Sequence, residues 1–139
     1  MKVLLPEKKK QILLVEDNLA DIVFTQKALQ KTAINANLYA VRDGEEALEF
    51  LYRRGKYYGA PRPDLILLDI NLPKMSGHEV LQKLRSETHL ENIPIVILTS
   101  SDAEFDISKS KQMSVRSYWI KPCNFGEFCR MIKQIETIW

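Results

Sequence analysis

Charged and hydroxyl side chains stand at the ends of four apolar segments of this chain. Glu16 and Asp17 follow the segment that ends at Val15, and Asp69 ends the segment that begins at Leu65. Thr99 ends the segment that begins at Ile95, and Lys121 follows the segment that ends at Ile120. A carboxylate can attack phosphorus, and a metal ion or an ammonium can offset the negative charge of the group that it attacks. These residue types therefore indicate a Mg²⁺-assisted phosphoryl acceptor, provided that the five side chains meet at one place.

Five short apolar segments predict the strands that would position these groups. In the first, third and fourth segments Ile, Val and Leu continue without polar alternation, which is typical of strands buried on both faces. Segments of helical character separate them, so the pattern predicts β-α units and an α/β fold with a parallel sheet. Open α/β sheets bind their ligands outside the carboxyl ends of the strands. The strands are predicted near Ile12–Val15, Asn37–Val41, Leu65–Asp69, Ile95–Leu98 and Ser117–Ile120.

Capping patterns predict where the helices begin and end. Gly55 predicts the end of the second helix. The fourth predicted helix, around residues 102–112, has few apolar side chains and is expected to be weakly anchored. Four polar residues each precede a Glu by three positions, as in a capping box or a looser relative of it: Asp43, Ser76, Ser101 and Asn124. In the last helix the apolar spacing predicts a buried face: Phe125, Phe128, Ile132, Ile135 and Trp139.

Composition indicates one globular domain. The chain has 139 residues with a net charge of +2, and it lacks the concentrated basic surface that nucleic-acid binding needs. No apolar stretch approaches the ~18 residues of a membrane span, so no membrane partner is expected. Cys123 and Cys129 lack metal-site spacing, and two reduced thiols are the expectation for a cytoplasmic protein. Residues 1–10 are interpreted as a flank of the domain.

The charged residues also have simpler structural interpretations. Glu16 and Asp17 could be acids favoured by the positive end of a helix dipole after Asn18. A Thr at the end of a strand can hydrogen-bond within a turn, and a single Lys is normally a surface residue. The combination favours a functional interpretation, because Asp69 is followed by a segment containing Pro73 and not by a helix that it could cap.

The position of Lys121 argues against a surface role. It lies between an apolar segment and Pro122, and a cis bond between these two residues would aim the ammonium inward. The ammonium could then contact a phosphoryl oxygen or Asp69 as a point charge. His78 and His89 are interpreted as surface residues without a catalytic role.

Taken together, these motifs resemble the receiver domain of two-component response regulators, the CheY-like group. The shared features are an acidic pair after the first strand, Asp after the third, Thr after the fourth and Lys-Pro after the fifth. The stretch DINLPKMSGHEVL is also similar to the loop that follows the family's Asp. The resemblance covers residues 11–139 and implies a flavodoxin-like (βα)5 fold, doubly wound, with strand order 2-1-3-4-5.

The resemblance implies a role for each of these residues. Asp69 would accept a phosphoryl group from a sensor histidine kinase, and Thr99 and Lys121 would contact that group. Tyr118 would change rotamer together with Thr99. Such a protein is a phosphoacceptor and not an enzyme, apart from slow self-dephosphorylation. Mg²⁺ would be held by four oxygen ligands: the side chains of Glu16, Asp17 and Asp69 and the backbone carbonyl of Asn71.

Two stretches are similar to the single-domain regulators of bacterial and cyanobacterial phytochromes. They are FLYRRGKYYGAPRPDLILLDINLPK and the ending IETIW. This closer similarity implies a phytochrome histidine kinase as the phosphoryl donor. It also implies a homodimer through the surface formed by the fourth helix, the fifth strand and the fifth helix. With no output domain expected after the fifth helix, the output would be a protein contact.

Three other functions compete with this interpretation. A haloacid-dehalogenase-like phosphatase also uses an Asp at a strand end, but it needs an acid two residues later, where this chain has Asn71. A flavodoxin shares the fold, but the acids of the first loop would repel a flavin phosphate. A phosphorylation-independent adaptor of the same fold would have no need for the full set of phosphotransfer residues.

Overall fold

The computed structural model describes residues 9–100 and 115–139 and contains a five-stranded parallel sheet. Its strands are β1 (Lys10–Val15), β2 (Ala36–Val41), β3 (Leu65–Asp69), β4 (Ile95–Thr99) and β5 (Ser117–Ile120). The strand order is β2-β1-β3-β4-β5, and every neighbouring pair is parallel. The α/β fold and the strand order predicted from the sequence are confirmed.

Four α-helices lie within the described residues. They are α1 (Leu19–Lys31), α2 (Gly44–Leu51), α3 (Gly77–Ser86) and a C-terminal helix (Phe125–Lys133). Two short 3-10 helices span Gly55–Tyr57 and Gln134–Thr137. The fourth predicted helix and its predicted cap Ser101 lie outside the described residues. None of the helices in the described part of the chain has the length and apolar character needed to cross a membrane.

Two hydrophobic clusters cover the two faces of the sheet. On one face Leu14 of β1 belongs to the same cluster as Phe128 of the C-terminal helix and residues of α1. On the other face Leu13 shares a cluster with Phe50 of α2 and with residues of α3. Alternate residues of β1 therefore enter opposite clusters, as the period of a strand requires. β3 and β4 are buried along their whole length, as their continuous apolar sequence predicted.

Side-chain caps fix the start of each helix. Four cap residues accept a hydrogen bond from the backbone N–H three positions later: Asn18, Asp43, Ser76 and Asn124. The three predicted caps among them are confirmed. α1, α2 and the C-terminal helix begin a few residues after the carboxyl ends of β1, β2 and β5, respectively. Their positive dipole ends therefore lie near the same edge of the sheet.

The end of α2 differs from the prediction. The helix ends at Leu51, before Gly55, because Arg53 adopts the left-handed conformation with φ of 57°. The backbone N–H of Arg54 donates to the carbonyl of Glu49 at 2.9 Å, and that of Arg53 donates to Phe50 at 3.2 Å. This is the Schellman pattern with Arg in the position that glycine usually occupies.

Candidate functional site

Three carboxyl groups meet at the carboxyl edge of the sheet. One oxygen each from Glu16, Asp17 and Asp69 lies within 4.8 Å of the others. β1 and β3 are neighbours with Val15 opposite Leu68, so the residues that follow these two positions come side by side. Glu16 is 1% exposed and Asp69 is 4% exposed, whereas Asp17 is half-buried. Like charges gathered in a buried position raise the electrostatic energy of the site unless a cation offsets them.

Lys121 brings an ammonium into this cluster. Its Nζ lies 2.5 Å from Oε1 of Glu16 and 3.2 Å from Oδ2 of Asp69. The same Nζ lies 3.0 Å from Oδ2 of Asp21 in the first turn of α1. The side chain of Lys121 is only 11% exposed, so these ion pairs are largely shielded from solvent. The loop after β1, the end of β3 and the start of α1 are thus joined through one ammonium.

The other predicted site residues lie around this cluster. Thr99 ends β4 and is fully buried, and its carbonyl accepts a hydrogen bond from the backbone N–H of Lys121 at 2.7 Å. Asn71 is exposed, and its backbone N–H donates to Oδ1 of Asp69 at 3.0 Å. Tyr118 is half-buried on β5 and packs against the cluster formed by α2 and α3. The roles of the Thr99 hydroxyl, the Asn71 carbonyl and the Tyr118 rotamer stay predictions.

Individual expectations differ from the structure at three positions. The Lys121–Pro122 bond is trans, and the long Lys side chain reaches the acids without the cis bond considered from the sequence. His78 is half-buried in the first turn of α3, whereas His89 is exposed as expected. Met131 is not among the residues of the predicted buried face of the last helix, but it is buried between that helix and the sheet.

Burial and neighbouring charges alter the protonation of two groups. Loss of solvation, together with the hydrogen bond to Asp69 and its charge, raises the pKa of Glu16 to about 8, against the opposing effect of Lys121. Burial by itself lowers the pKa of Lys121, but the hydrogen bond and charge of Glu16 and the charge of Asp69 raise it overall. In the metal-free protein Lys121 therefore stays charged at neutral pH, and Glu16 keeps its proton to a higher pH than an ordinary Glu.

This protonation gives a pH dependence with a defined sign. The ordinary pKa of Glu is 4.5, so between that pH and about 8 the folded protein keeps a proton that the unfolded chain has lost. The free energy of unfolding should therefore fall as pH rises through this window, by at most on the order of 1 kcal/mol per pH unit. Denaturation with EDTA across this range, with Glu16→Gln as the comparison, measures the effect. An unchanged pH slope in Glu16→Gln would contradict it.

The donor set fits a hard divalent cation. Carboxylate oxygens are the ligands that Mg²⁺ prefers, usually from a few acids with waters in the other positions. Oε1 of Glu16 is buried and faces Nζ of Lys121 at 2.5 Å. The three clustered acids outnumber the ammonium that contacts two of them. A bound cation would favour the ionised form of Glu16 and so reverse the shift of its pKa.

A glycine allows the loop after β3 to fold close to Asp69. The backbone N–H of Gly77 donates to the carbonyl of Ile70 at 3.1 Å. A Cβ at Gly77 would lie 2.7 Å from the carbonyl oxygen of Asp69 and 2.7 Å from Cα of Ile70. These neighbours are backbone atoms, so they cannot move aside without displacing the residue that carries the site carboxylate.

We expect Gly77→Ala to lower the free energy of unfolding by about 1–3 kcal/mol, the usual cost of overpacking. Gly126→Ala is the matched control, because its Cβ would make an ordinary contact at 3.6 Å with Oδ1 of Asn124. Alanine also favours a helix over glycine, so the control should be as stable as the unaltered chain or slightly more stable. Urea denaturation of both variants measures this. A Gly77→Ala variant as stable as the unaltered chain would show that the loop is not tightly packed.

Sequence reasoning missed two residues that contact the site. Asp21 pairs with Lys121, and Nη2 of Arg42 donates to the backbone carbonyl of Asp17 at 2.8 Å. The signal for Asp21 was an acid three residues after the helix cap Asn18, because a helix that follows β1 places its first turn at the carboxyl edge. Arg42 directly follows β2, the neighbour of β1, and could have been found in the same way.

The comparison with known families decides the identity of the domain. The sequence model of the response regulator receiver domain matches residues 12–133. The chain belongs to this receiver domain family. As a receiver domain it is part of a two-component system, and its relatives include regulators associated with phytochromes.

Two similar proteins illustrate this relationship. Response regulator Rcp1 of Synechocystis sp. is 42% identical over 130 residues, which cover 94% of this receiver domain chain and 88% of Rcp1. The crystal structure of the phosphorylated cyanobacterial phytochrome response regulator RcpA has a TM-score of 0.87 at 44% identity, covering 95% and 94% of the two chains. The crystal structure of the Mn²⁺-bound form of Rcp1 has a TM-score of 0.84 at 42% identity, covering 94% of each chain.

Proposed function

We propose that this receiver domain accepts a phosphoryl group on Asp69 in a Mg²⁺-dependent reaction. One observation carries the proposal: Oδ2 of Asp69 lies 3.2 Å from Nζ of Lys121, beside the clustered carboxyl groups of Glu16 and Asp17. A nucleophile, a buried cation and a set of oxygen ligands are thus within reach of one incoming phosphoryl group. The phosphorylated and Mn²⁺-bound states of the two similar crystal structures support this assignment.

The proposed reaction follows from these positions. The carboxylate of Asp69 attacks phosphorus, the bond to the donor's leaving group breaks, and an acyl phosphate forms on Asp69. Lys121 donates to one phosphoryl oxygen, and the hydroxyl of Thr99 donates to another. Bound Mg²⁺ would supply positive charge that offsets the repulsion between the carboxylate and the phosphoryl group. Its proposed ligands are the side chains of Glu16, Asp17 and Asp69 and the backbone carbonyl of Asn71.

The position after the nucleophile favours a phosphoacceptor over a phosphatase. Asn71 stands two residues after Asp69, where a phosphatase of the haloacid-dehalogenase kind needs a general acid. An amide side chain cannot protonate a leaving group. We therefore propose that the acyl phosphate is a signal with a limited lifetime, lost by slow self-dephosphorylation, and that the domain is not an enzyme. A phosphorylation-independent adaptor of the same fold is the competing function.

Acetyl phosphate separates these functions. We expect the unaltered chain to gain the mass of one phosphoryl group when it is incubated with acetyl phosphate and Mg²⁺, because a small-molecule donor needs no kinase surface. With EDTA in place of Mg²⁺ the mass should stay unchanged. Intact-mass spectrometry measures both conditions. No mass gain with Mg²⁺ would favour the adaptor, and rapid release of inorganic phosphate without a labelled protein would favour the phosphatase.

We propose a phytochrome-linked sensor histidine kinase as the physiological donor. The similarity to Rcp1 and RcpA supports this choice, since RcpA is a phytochrome response regulator. We propose residues 11–139 as the receiver domain and residues 1–10 as its flank, of which Lys10 already belongs to β1. Both partners would act in the cytoplasm. Phosphotransfer from an autophosphorylated phytochrome kinase, compared with an unrelated histidine kinase, tests the partner. Equal transfer from both would argue against it.

We also propose that the domain forms a homodimer through β5, the C-terminal helix and the fourth predicted helix. β5 is an edge strand, and Ile120 on it is 47% exposed. The proposed conformational switch would couple Thr99, at the end of β4, to Tyr118 on β5. The predicted fourth helix of this surface lies outside the described residues. Light scattering before and after phosphorylation measures whether the labelled chain changes its oligomeric state.

A further inference from the structure

Asp21 contacts Lys121 without belonging to the cluster of proposed metal ligands. Its Oδ2 accepts a hydrogen bond from Nζ of Lys121 at 3.0 Å, a shorter distance than the 3.2 Å to Oδ2 of Asp69. Within the described residues, the group of carboxylates that could hold a metal ion contains Glu16, Asp17 and Asp69 but not Asp21. Asp21 therefore binds the ammonium from the side of the site that faces α1.

The start of α1 fixes the position of Asp21. The backbone N–H of Asp21 donates to Oδ1 of the cap residue Asn18 at 3.2 Å, and the backbone carbonyl of Asp21 accepts from the hydroxyl of Thr25 at 2.8 Å. The backbone N–H of Asn18 in turn donates to Oε2 of Glu16 at 3.2 Å. The helix start thus holds Asp21 at a fixed distance from Glu16, and its place does not depend on a metal ion.

The number of donors on Lys121 shows what Asp21 can do. An ammonium has three N–H donors, and three carboxylates surround this one: Glu16, Asp21 and Asp69. Under the proposed function, Glu16 and Asp69 also bind Mg²⁺, and Asp69 receives the phosphoryl group. Asp21 is then the carboxylate among these three that remains available to the ammonium throughout.

We propose that Asp21 is a positioning residue for Lys121. It offers the ammonium a carboxylate outside the proposed Mg²⁺ ligands, so that Lys121 keeps an ion pair at the site when the metal ion binds the oxygens of Glu16 and Asp69. This role rests on the proposed function, because it assigns Asp21 to the same Mg²⁺-dependent site. It acts through Lys121 and needs no contact with the metal ion or the phosphoryl group.

Mg²⁺ affinity in a double-mutant cycle tests this role. We expect Asp21→Asn to weaken Mg²⁺ binding on the order of tenfold, because the ammonium then rests on the ligand oxygens alone and one charge-assisted contact is lost. In a Lys121→Ala background the same substitution should have no further effect. Calorimetric titration of the four full-length chains gives the affinities. Glu45→Gln, in the exposed first turn of α2, controls for the loss of a negative charge at a helix start near this edge.

Two results would overturn the role of Asp21. One is an Mg²⁺ affinity that Asp21→Asn leaves unchanged. The other is an equal loss of affinity with and without Lys121, which would reveal a general charge effect. Labelling of the unaltered chain by acetyl phosphate reports on the proposed function separately. A chain that is labelled but insensitive to Asp21→Asn rejects this inference alone, whereas a chain that binds no Mg²⁺ rejects both.

Discussion

Asp69→Asn should reduce labelling by acetyl phosphate and Mg²⁺ to background. The amide has nearly the shape of the carboxylate but is not a nucleophile, so the acyl phosphate cannot form. Asp69 ends β3 with its carboxyl group beside Lys121, and the substitution removes the attacking oxygen without removing that neighbour. Intact-mass spectrometry over a time course, with Mg²⁺ present throughout, measures the loss.

Asp64→Asn is the matched control for this substitution. Asp64 lies just before β3, at the opposite end of the same strand, and its Oδ2 accepts a hydrogen bond from the backbone N–H of Gln11 at 2.7 Å. The amide oxygen of Asn can still accept that bond, so the control should fold and be labelled as the unaltered chain is. Labelling of Asp69→Asn at the rate of Asp64→Asn would rule out Asp69 as the acceptor.

Lys121→Ala should lower the free energy of unfolding of the metal-free protein by about 3 kcal/mol, as removal of one partner from a buried ion pair usually does. Without the ammonium, the buried carboxyl groups of Glu16 and Asp69 lose the cation that contacts both of them. Mg²⁺ should restore part of this stability, since the variant keeps every proposed metal ligand. Urea denaturation with EDTA or with Mg²⁺ measures both effects.

Lys133→Ala is the control for the loss of a Lys ion pair. Nζ of Lys133 lies 2.7 Å from Oε1 of Glu136, but the two side chains are 53% and 47% exposed. An exposed pair of this kind contributes about 0–1 kcal/mol, so this variant should unfold close to the unaltered chain. Equal free energies of unfolding of Lys121→Ala and Lys133→Ala in EDTA would contradict this prediction. They would show that the clustered carboxyl groups do not repel one another without the ammonium. If Asp69 is phosphorylated in Lys121→Ala, this variant should also fail to change the proposed dimer surface, while still binding metal.

The strands and the α/β class could be predicted from the hydrophobic pattern, whereas the strand order was implied by the resemblance to receiver domains. The unbroken apolar runs that end at Asp69 and Thr99 form strands that are buried along their whole length. Once such strands are parallel, the residues that follow their carboxyl ends must come to one edge of the sheet. Glu16 and Asp69 meet because β1 and β3 are neighbours, and Lys121 reaches both acids from the end of β5 with its long side chain.

The contacts that depend on exact backbone placement could not be predicted in this way. Asp21 reaches Lys121 because of the angle at which α1 leaves β1, and sequence spacing does not specify that angle. Arg53 ends α2 in a left-handed conformation that is uncommon for a non-glycine residue, with the two hydrogen bonds of the Schellman pattern. The close approach of Gly77 to Asp69 likewise depends on how the intervening loop folds.

The location of the phosphoryl group is the most direct test of the central claim. After labelling with acetyl phosphate and Mg²⁺, borohydride reduces an acyl phosphate on Asp to homoserine, and peptide mass spectrometry then locates the altered residue. We predict homoserine at position 69 in the unaltered chain and in Asp64→Asn. A phosphoryl group found instead on a histidine such as His78 or His89, on a hydroxyl group or on another carboxylate would contradict a site built around Asp69.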